Sequence, residues 1–409
     1  GRVLVIGGGD VDPNFGLVTE PGLAAEIEVF DPAYSRFSLD SVLRLNQPRA
    51  HHTATLLDSG DVLVYGGVVD AWFDSNSGMM DGLMINAPEL IVAETLEVIP
   101  IPIDLAVAEG RWRHGAAKLS DGSVLIAGGF GPGDLGSRVL RSAIRYLPGG
   151  PGEPGRFERV GDLAEARAGH SLTGLNWGPE SAVAIGGIGE NGLVSVVETF
   201  TTREAEFCTE QSGCFIKISG ENGTETQLPQ PVWGHGAVAI DDQRRVLLVG
   251  GYSTPDQREA SDQILLYERR GDSGFTSLRS AGNPLAVPSG HLNLITVNTG
   301  RNLQVLGVGG QVNGRPSGGV SIFLEATIGD TGELGFFEQL IGQVQSREGP
   351  WLESADTACL THLPRFGIAA ARLQNETILL VGGVAGSDAT QLLSASAAEI
   401  FYPRVYATR

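Results

Sequence analysis

The chain has 409 residues and a formal net charge of −20. This charge disfavours binding to nucleic-acid phosphates and adhesion to anionic lipid, because both need a basic surface. The 58 glycines and 21 prolines indicate many turns between short strands. No apolar run reaches the ~18 residues of a membrane-spanning helix, so we expect no membrane span.

The first predicted element is an apolar strand, "RVLVIGGG", at residues 2–9. An acidic spacing follows, in which Asp10, Asp12 and Asn14 alternate with other residues. This spacing is typical of calcium loops, but the glycine and glutamate expected later in such a loop are absent. The segment is therefore either a calcium site or a solvated turn.

The next element, "PRAHHTATLLDSGDVLVYGG" at residues 48–67, returns five more times along the chain. Each copy contains an apolar strand, a polar turn and a second apolar strand that ends in Gly-Gly. The later copies occupy residues 110–129, 166–187, 231–251, 288–310 and 364–383. Counting the N-terminal strand, Gly-Gly begins at Gly7, Gly66, Gly128, Gly186, Gly250, Gly309 and Gly382.

Each period also contains a third strand, such as "AAEIEVFDP" or "SAIRYLP", and a weaker fourth strand. Four strands per period, repeated radially, predict an all-β fold, namely a β-propeller. We predict seven blades of four antiparallel strands in a single domain over residues 1–409, with six blades plus a partial one as the alternative.

The repeated motif resembles the kelch repeat, in particular the bacterial type related to the central domain of galactose oxidase. The matching features are Arg-x-x-His, an apolar strand, an Asp-Gly-type turn, "VLVxGG" and "AExYDP". Galactose oxidase also has a copper site whose motif includes an adjacent Tyr-His pair. No Tyr-His dipeptide occurs in this chain, so we expect no cofactor, with calcium at residues 10–14 left open.

Five histidines occupy one position of the repeat, namely His52, His114, His170, His235 and His291. Equivalent positions on adjacent blades lie about 10 Å apart, whereas zinc ligands converge to about 2 Å from the ion. We therefore predict scaffold residues and no metal site. His51 and His362 fall outside this position, and we predict both to be surface residues.

Arginines recur three residues before the histidine position, and aromatic residues follow some of them. By the symmetry of the repeat, these side chains would line one rim of the channel. Such arginines are either scaffold residues paired with carboxylates, or a rim that binds a carboxylate ligand or an acidic peptide. The aromatic residues would stack on a ligand or plug the channel. The predicted rim comprises Arg49, Arg111, Trp112, Arg113, Arg167, Trp233, Arg365 and Phe366.

Two inserts interrupt the repeat, at residues 68–89 and 341–363. The first contains Trp72, Phe73, Met79, Met80 and Met84. Because a solvated loop does not need these side chains, the insert either folds over the propeller or presents an adaptable apolar patch to a partner.

Cys208 and Cys214 flank a short polar loop, and a disulfide or two free thiols would fit there. Cys359 is left over, and we predict a small buried residue at that position. A disulfide would agree with an extracellular, cell-surface or periplasmic location.

No catalytic motif such as Gly-x-Ser-x-Gly or His-Glu-x-x-His is present. We therefore predict a non-catalytic module, on a bacterial cell surface or secreted, that binds or scaffolds another protein or a carbohydrate. The alternative is a carbohydrate-active enzyme, such as a sugar-acid mutarotase or epimerase, that acts at the arginine-rich rim.

Overall fold

The computed structural model describes residues 1–11, 18–38, 43–74, 79–104, 107–133, 136–177, 180–202, 212–220, 223–240, 243–270, 275–298, 303–312, 315–316, 320–328, 333–340, 365–374, 377–385, 393–394 and 398–401. All elements assigned in these ranges are β-strands, as predicted. No helix in this part of the chain is long and apolar enough to cross a membrane.

The strands follow one another in repeated groups. Sheet I contains β1 (Val3–Ile6), β4 (Glu26–Asp31), β5 (Arg36–Phe37) and β6 (Leu43–Arg44), with a hairpin of β2 (Gly9–Val11) and β3 (Val18–Leu23) between β1 and β4. Sheet II contains β7 (Thr53–Leu56), β8 (Val62–Tyr65), β11 (Glu89–Ile91) and β12 (Val98–Pro100), with the hairpin β9 (Val68–Asp74) and β10 (Met79–Met84). Sheet III contains β13 (Gly115–Lys118), β14 (Val124–Ala127), β17 (Ala143–Leu147) and β18 (Arg156–Val160), with the hairpin β15 (Phe130–Gly133) and β16 (Gly136–Val139).

The same order continues along the chain. Sheet IV contains β19 (Ser171–Trp177), β20 (Glu180–Ile185), β23 (Glu198–Thr201) and β24 (Cys214–Lys217), with the short hairpin β21 (Ile188–Gly189) and β22 (Gly192–Leu193). Sheet V contains β25 (Gly236–Ile240), β26 (Arg245–Val249), β27 (Ile264–Arg270) and β28 (Phe275–Ser280). Sheet VI contains β29 (Asn293–Asn298), β30 (Leu303–Val308), β33 (Val320–Ile328) and β34 (Glu333–Leu340), with the hairpin β31 (Gln311–Val312) and β32 (Arg315–Pro316).

The last group differs in its strand count. Sheet VII contains β36 (Ala369–Arg372), β37 (Ile378–Val381) and β40 (Ala398–Phe401). A second, small sheet of this group contains β35 (Arg365–Phe366), β38 (Val384–Ala385) and β39 (Leu393–Ser394). All strand pairs in sheets I to VII are antiparallel.

The core lies between the sheets. The strand that precedes each Gly-Gly pair is mostly apolar, and all four residues of β14 are buried, because a neighbouring sheet covers each face. Apolar clusters join each sheet to the next one, for example Leu125 of sheet III with Phe200 of sheet IV. A further cluster joins Phe30 of sheet I to Leu379 of sheet VII, so the first and last sheets are in contact.

The inner strands β7, β13, β19, β25, β29 and β36 lie at one edge of their sheets, and each contacts the next along the series. They surround a central channel. Sheets stacked face to face around such a channel form a β-propeller.

The Gly-Gly pairs lie where neighbouring sheets approach most closely. Gly186 has a φ of 66°, and a Cβ there would lie 2.4 Å from the Val232 carbonyl oxygen and 2.9 Å from Cε1 of His235. Any larger residue at this position would be strained in its backbone and would also collide with the next sheet.

Candidate functional site

Two of the predicted rim arginines lie inside the propeller. Arg49 and Arg167 have no solvent exposure, and they form ion pairs with Glu89 and Glu198, which are also buried. Arg167 also donates from Nη1 to the Val196 carbonyl oxygen at 3.1 Å. These guanidinium groups are saturated by protein acceptors, so their prediction as ligand-binding rim residues is wrong and the scaffold alternative holds for them.

Arg111 is also buried, but its contacts differ. It donates to the Ser142 carbonyl oxygen at 2.8 Å and to Ser142 Oγ at 3.0 Å, in the region where the other two arginines have a glutamate. The nearest carboxylate, Glu109, lies 3.8 Å away and is 23% exposed. Arg111 is therefore also a scaffold residue.

A ring of left-handed backbone lies at the propeller axis. Gly169, Gly234 and Gly367 have φ between 59° and 64°, and His51, Arg113 and His291 adopt the same conformation, with φ of 54°, 50° and 53°. Backbone hydrogen bonds link consecutive members: Arg113 N to His51 O, Gly169 N to Arg113 O, Gly234 N to Gly169 O, and His291 N to Gly234 O. Non-glycine residues are strained in this conformation, and such strain is typical of functional sites.

The ring corrects the sequence alignment of sheet VI. Gly251 N donates to Ser289 O, as Gly129 N donates to Arg167 O in an earlier sheet. Ser289 therefore takes the arginine position, and His291 falls one residue before the position of the other repeat histidines, which Leu292 occupies. His291 was wrongly aligned because this copy has no arginine to mark the register.

Six side chains meet at the ring. His51 contacts Trp112 at 5.5 Å between ring centroids, and the Arg113 guanidinium lies 5.7 Å from the Trp112 ring and 5.5 Å from the Trp233 ring. On the far side, His291 contacts Trp233 at 5.9 Å and Tyr252 at 5.2 Å. We call this set the axial cluster; it comprises His51, Trp112, Arg113, Trp233, Tyr252 and His291.

Arg113 is the central charge of the axial cluster. Within the described residues no carboxylate pairs with it, and its Nε has no hydrogen-bond partner. Burial lowers the pKa of Arg113 to about 10, so it stays protonated at neutral pH. A partly buried cation between two indole rings, without a counter-charge in this part of the chain, is positioned to bind an anion.

The two imidazoles of the axial cluster are neutral at pH 7. Burial and the nearby Arg113 lower the pKa of His291 to about 3. The same two causes hold the pKa of His51 well below its ordinary value. A neutral imidazole carries one N–H donor and one lone-pair acceptor, so each ring can donate one hydrogen bond and can accept a proton.

The remaining aromatic residues fix the geometry. Trp233 is buried and donates from Nε1 to the Thr254 carbonyl oxygen at 2.8 Å. The Tyr252 hydroxyl donates to Gln311 Oε1, and burial raises the pKa of Tyr252. Trp112 and Trp233 thus form buried walls around Arg113 at the channel end, and neither is an open stacking platform.

Sequence reasoning missed two members of the axial cluster, His51 and Tyr252, and also Gln311, which accepts the hydrogen bond of Tyr252. His51 is partly buried in the axial cluster, so its prediction as a surface residue is wrong. Tyr252 and Gln311 directly follow a Gly-Gly pair, where other copies have Val68, Phe130 or Ile188. A polar residue in this otherwise apolar position was the available signal. His362 lies outside the described residues.

Beneath the ring, the inner strands line an open cavity of about 440 Å³ in the channel. His291 lines it, together with His170, His235 and parts of β13, β19, β25 and β29. We call it the channel cavity. It makes the lower side of the axial cluster accessible to a small ligand.

The insert at residues 68–89 is a hairpin rather than a loop. β9 and β10 pair so that Trp72 lies opposite Asp81 and Phe73 opposite Met80, and Met79 opposes Asp74. Met84 packs against the buried cluster that contains Trp112 and Phe130. The end of this hairpin is thus folded onto the propeller, and it borders a second cavity of about 490 Å³ that Asp81 and Glu109 also line.

For several residues of the predicted sites, the structure describes the backbone alone or does not describe the residue. Arg365 and Phe366 lie in β35, and the structure describes their backbone alone. Asp10 lies in β2, whereas Asp12, Asn14 and the insert 341–363 lie outside the described residues. Cys214 is disulfide-bonded; Cys208 and Cys359 lie outside the described residues.

Among the described residues, no group of three or more His, Cys, Asp or Glu side chains is placed to hold a metal ion. In the axial cluster, the positive charge of Arg113 acts on both His51 and His291 and would repel a cation. The described part of the chain therefore does not fit a copper or zinc centre.

Comparison with known proteins identifies the fold through structure. No family model matches the chain, and no curated protein matches it in sequence. A solved structure described as a novel fungal alcohol oxidase with catalytic diversity among the AA5 family, in complex with copper, matches with a TM-score of 0.61 and 14% identity. The match covers 98% of this chain and 72% of the oxidase. The structure of YjhT matches with a TM-score of 0.48 and 14% identity, over 77% of this chain and 91% of YjhT.

These comparisons correct two predictions. The protein that shares this fold over nearly the whole chain is an enzyme, so the preferred prediction of a non-catalytic scaffold is contradicted. That enzyme is in complex with copper, so the expectation that the chain has no cofactor is contradicted as well. The resemblance predicted from the repeated motif is confirmed: the chain has the kelch-like β-propeller fold.

Proposed function

We propose that the chain is a carbohydrate-active enzyme that acts at the axial cluster on a sugar acid, as a mutarotase or epimerase does. The observation that carries the proposal is Arg113, a partly buried cation between two indole rings that has no carboxylate partner among the described residues. A substrate carboxylate would pair with its planar fork and offset the cost of burying the charge.

The chemistry follows from the two imidazoles that lie near enough to Arg113 for its charge to lower their pKa values. Mutarotation needs removal of the proton from the anomeric hydroxyl and delivery of a proton to the ring oxygen. One of His51 and His291 would act as the base in its neutral form, and the other would act as the acid after it has been protonated; they would exchange roles when the ring closes. A bound carboxylate would neutralise Arg113 and so remove one cause of the low pKa values of His51 and His291. Both pKa values would then rise toward neutral pH.

The finer architecture belongs to the same proposal. We infer a single seven-bladed ring, supported by the seven Gly-Gly strands and by the contact between sheets I and VII. We also infer an extracellular, cell-surface or periplasmic location, supported by the disulfide at Cys214, since disulfides persist in oxidising compartments.

The test compares D-glucuronate with D-glucose, which lacks the carboxylate. We expect calorimetry to show glucuronate binding that Arg113→Ala weakens about 10- to 100-fold, as expected for a charged hydrogen bond. Arg258→Ala is the matched control, because that side chain is 84% exposed and lies outside the site. Equal glucuronate affinity in Arg113→Ala and wild type would exclude the binding role.

The catalytic arm uses anomer exchange measured by NMR. We expect His51→Gln and His291→Gln to slow exchange of bound glucuronate about 10²- to 10⁴-fold, while the dissociation constant stays close to the wild-type value. Wild-type protein that binds glucuronate without accelerating exchange would refute mutarotation.

A further inference from the structure

The repeat histidines follow a pairing rule. The imidazole of one sheet hydrogen-bonds to the hydroxyl at the start of the preceding inner strand: His114 Nε2 lies 2.8 Å from Thr53 Oγ1, and His235 Nε2 lies 2.9 Å from Ser171 Oγ. In sheet VI an apolar Leu292 occupies the histidine position, and the preceding strand begins with Gly236 instead of a hydroxyl residue. In these three cases a histidine faces a hydroxyl residue, and the apolar Leu292 faces a glycine.

His170 breaks this rule. The preceding inner strand begins with Gly115, which has no side chain to offer, and a Cβ there would lie 2.9 Å from His170 Nε2. His170 is 8% exposed, and neither ring nitrogen has a hydrogen-bond partner among the described residues. An unpaired buried polar group is costly unless a partner comes from elsewhere.

The channel cavity is where that partner can come from, since both His170 and Gly115 line it. Its polar lining includes Ser171, Thr173 and Asn293, and its walls include Leu172 and Leu292. It has no carboxylate, lysine or arginine among its lining residues. Burial holds the pKa of His170 well below its ordinary value, so its imidazole is neutral. Such a cavity favours an uncharged ligand with hydroxyl groups and apolar faces.

We propose that the channel cavity binds the uncharged, hydroxyl-bearing end of a sugar, with His170 hydrogen-bonded to one of its hydroxyl groups. The proposal deepens the proposed function and rests on it for the position of the charged end. His291 belongs to the axial cluster and also lines the channel cavity, so a ligand anchored at Arg113 would extend past His291 toward His170.

The test uses His170→Leu, which reproduces the Leu292–Gly236 arrangement already present in sheet VI. The matched control is His114→Leu, since His114 occupies the same position in sheet III but does not line the channel cavity. The probes are D-glucuronate, which would fill both parts of the site, and glycolate, a hydroxy acid too short to reach from Arg113 to His170.

We expect His170→Leu to weaken glucuronate binding about five- to tenfold, as expected for one lost hydrogen bond, and to leave glycolate binding unchanged. The melting temperature should stay the same or rise in His170→Leu, because no protein hydrogen bond is lost. It should fall in His114→Leu, which loses the bond to Thr53 while both ligands still bind. Unchanged glucuronate affinity in a folded His170→Leu, or an equal loss for both probes, would overturn the proposal.

The two proposals fail separately. If wild-type protein binds neither acid, the anion role of Arg113 is wrong, and methyl β-D-glucoside then tests the channel cavity alone. Binding of this neutral glycoside that His170→Leu weakens would support the cavity as a sugar site, and no binding to wild type would overturn it.

Discussion

Replacing Glu198 by glutamine should destabilise the propeller strongly, whereas the same change at Glu109 should not. Glu198 is fully buried; it pairs with Arg167 and accepts hydrogen bonds from the backbone nitrogens of Ala164, at 2.6 Å, and Glu165, at 3.2 Å. A glutamine would leave the buried Arg167 guanidinium without its counter-charge. The glutamine NH2 group would also face at least one of the three N–H groups that now donate to the Glu198 carboxylate. Breaking such a pair costs about 3–5 kcal/mol in the free energy of unfolding.

Glu109 provides the matched comparison. Its carboxylate is 23% exposed and lies 3.8 Å from Arg111, and it pairs at 3.0 Å with Arg138, whose side chain is 59% exposed. Solvent screens these contacts, and exposed pairs are worth about 0–1 kcal/mol, so Glu109→Gln should cost less than about 1 kcal/mol.

Urea unfolding followed by intrinsic tryptophan fluorescence measures both variants against wild type. The slope with denaturant should stay constant, so that the midpoints report stability alone. Equal destabilisation by the two substitutions would refute the assignment of Arg167 as a saturated scaffold residue, and so would a Glu198→Gln protein as stable as wild type.

Three further outcomes are expected. Gly186→Ala should cost at least about 2 kcal/mol more in unfolding free energy than Gly223→Ala, because both glycines have positive φ, of 66° and 74°, but only Gly186 would place its Cβ against another sheet; equal costs would contradict the close-approach argument. The pKa of His114 is lowered to about 3 by burial and by neighbouring positive groups. Its contribution to the free energy of unfolding is therefore complete above the pKa of about 6.5 that histidine has in the unfolded chain, and it is lost as the pH falls toward 3. Between pH 5.5 and 4, His114→Leu should therefore reduce the slope of unfolding free energy against pH by about 1.4 kcal/mol per unit, and an unchanged slope in urea titrations would show that this imidazole is protonated in the folded state. Thiol titration of the denatured, unreduced chain should find one free thiol among the three cysteines, and Cys208→Ser should release Cys214 as a second one if the predicted partner is correct; a count that falls to zero would assign the disulfide to Cys214 and Cys359.

The repeat could be predicted from the sequence because its signals are local. An apolar strand, a polar turn and Gly-Gly follow one another within about twenty residues, and the physical demands on them are short-range: alternation for a strand, and positive φ where sheets approach. The same locality explains the wrong alignment of His291. The copy at residues 288–310 lacks the arginine that marks the register in four of the six copies, and the hydrogen bond between Gly251 and Ser289 shows the shift.

The predicted rim illustrates what the residue type alone leaves open. Arg111 and Arg113 are two residues apart, yet Arg111 is buried with hydrogen bonds to Ser142, whereas Arg113 lies at the axis with no carboxylate partner among the described residues. The carboxylates that saturate Arg49 and Arg167 come from strands 40 and 31 residues away, so no local pattern distinguishes a scaffold arginine from a ligand-binding one.

The sequence by itself determined the all-β repeat, the glycine-ended strands and the kelch-like fold, since each depends on neighbours along the chain. The tertiary structure decided the site. His51, Arg113 and His291 are 62 and 178 residues apart, and they converge because closure of the sheets brings the residues just before the inner strands to one axis. Their left-handed backbone and their low pKa values arise from that convergence, which packs charge and imidazoles together away from water.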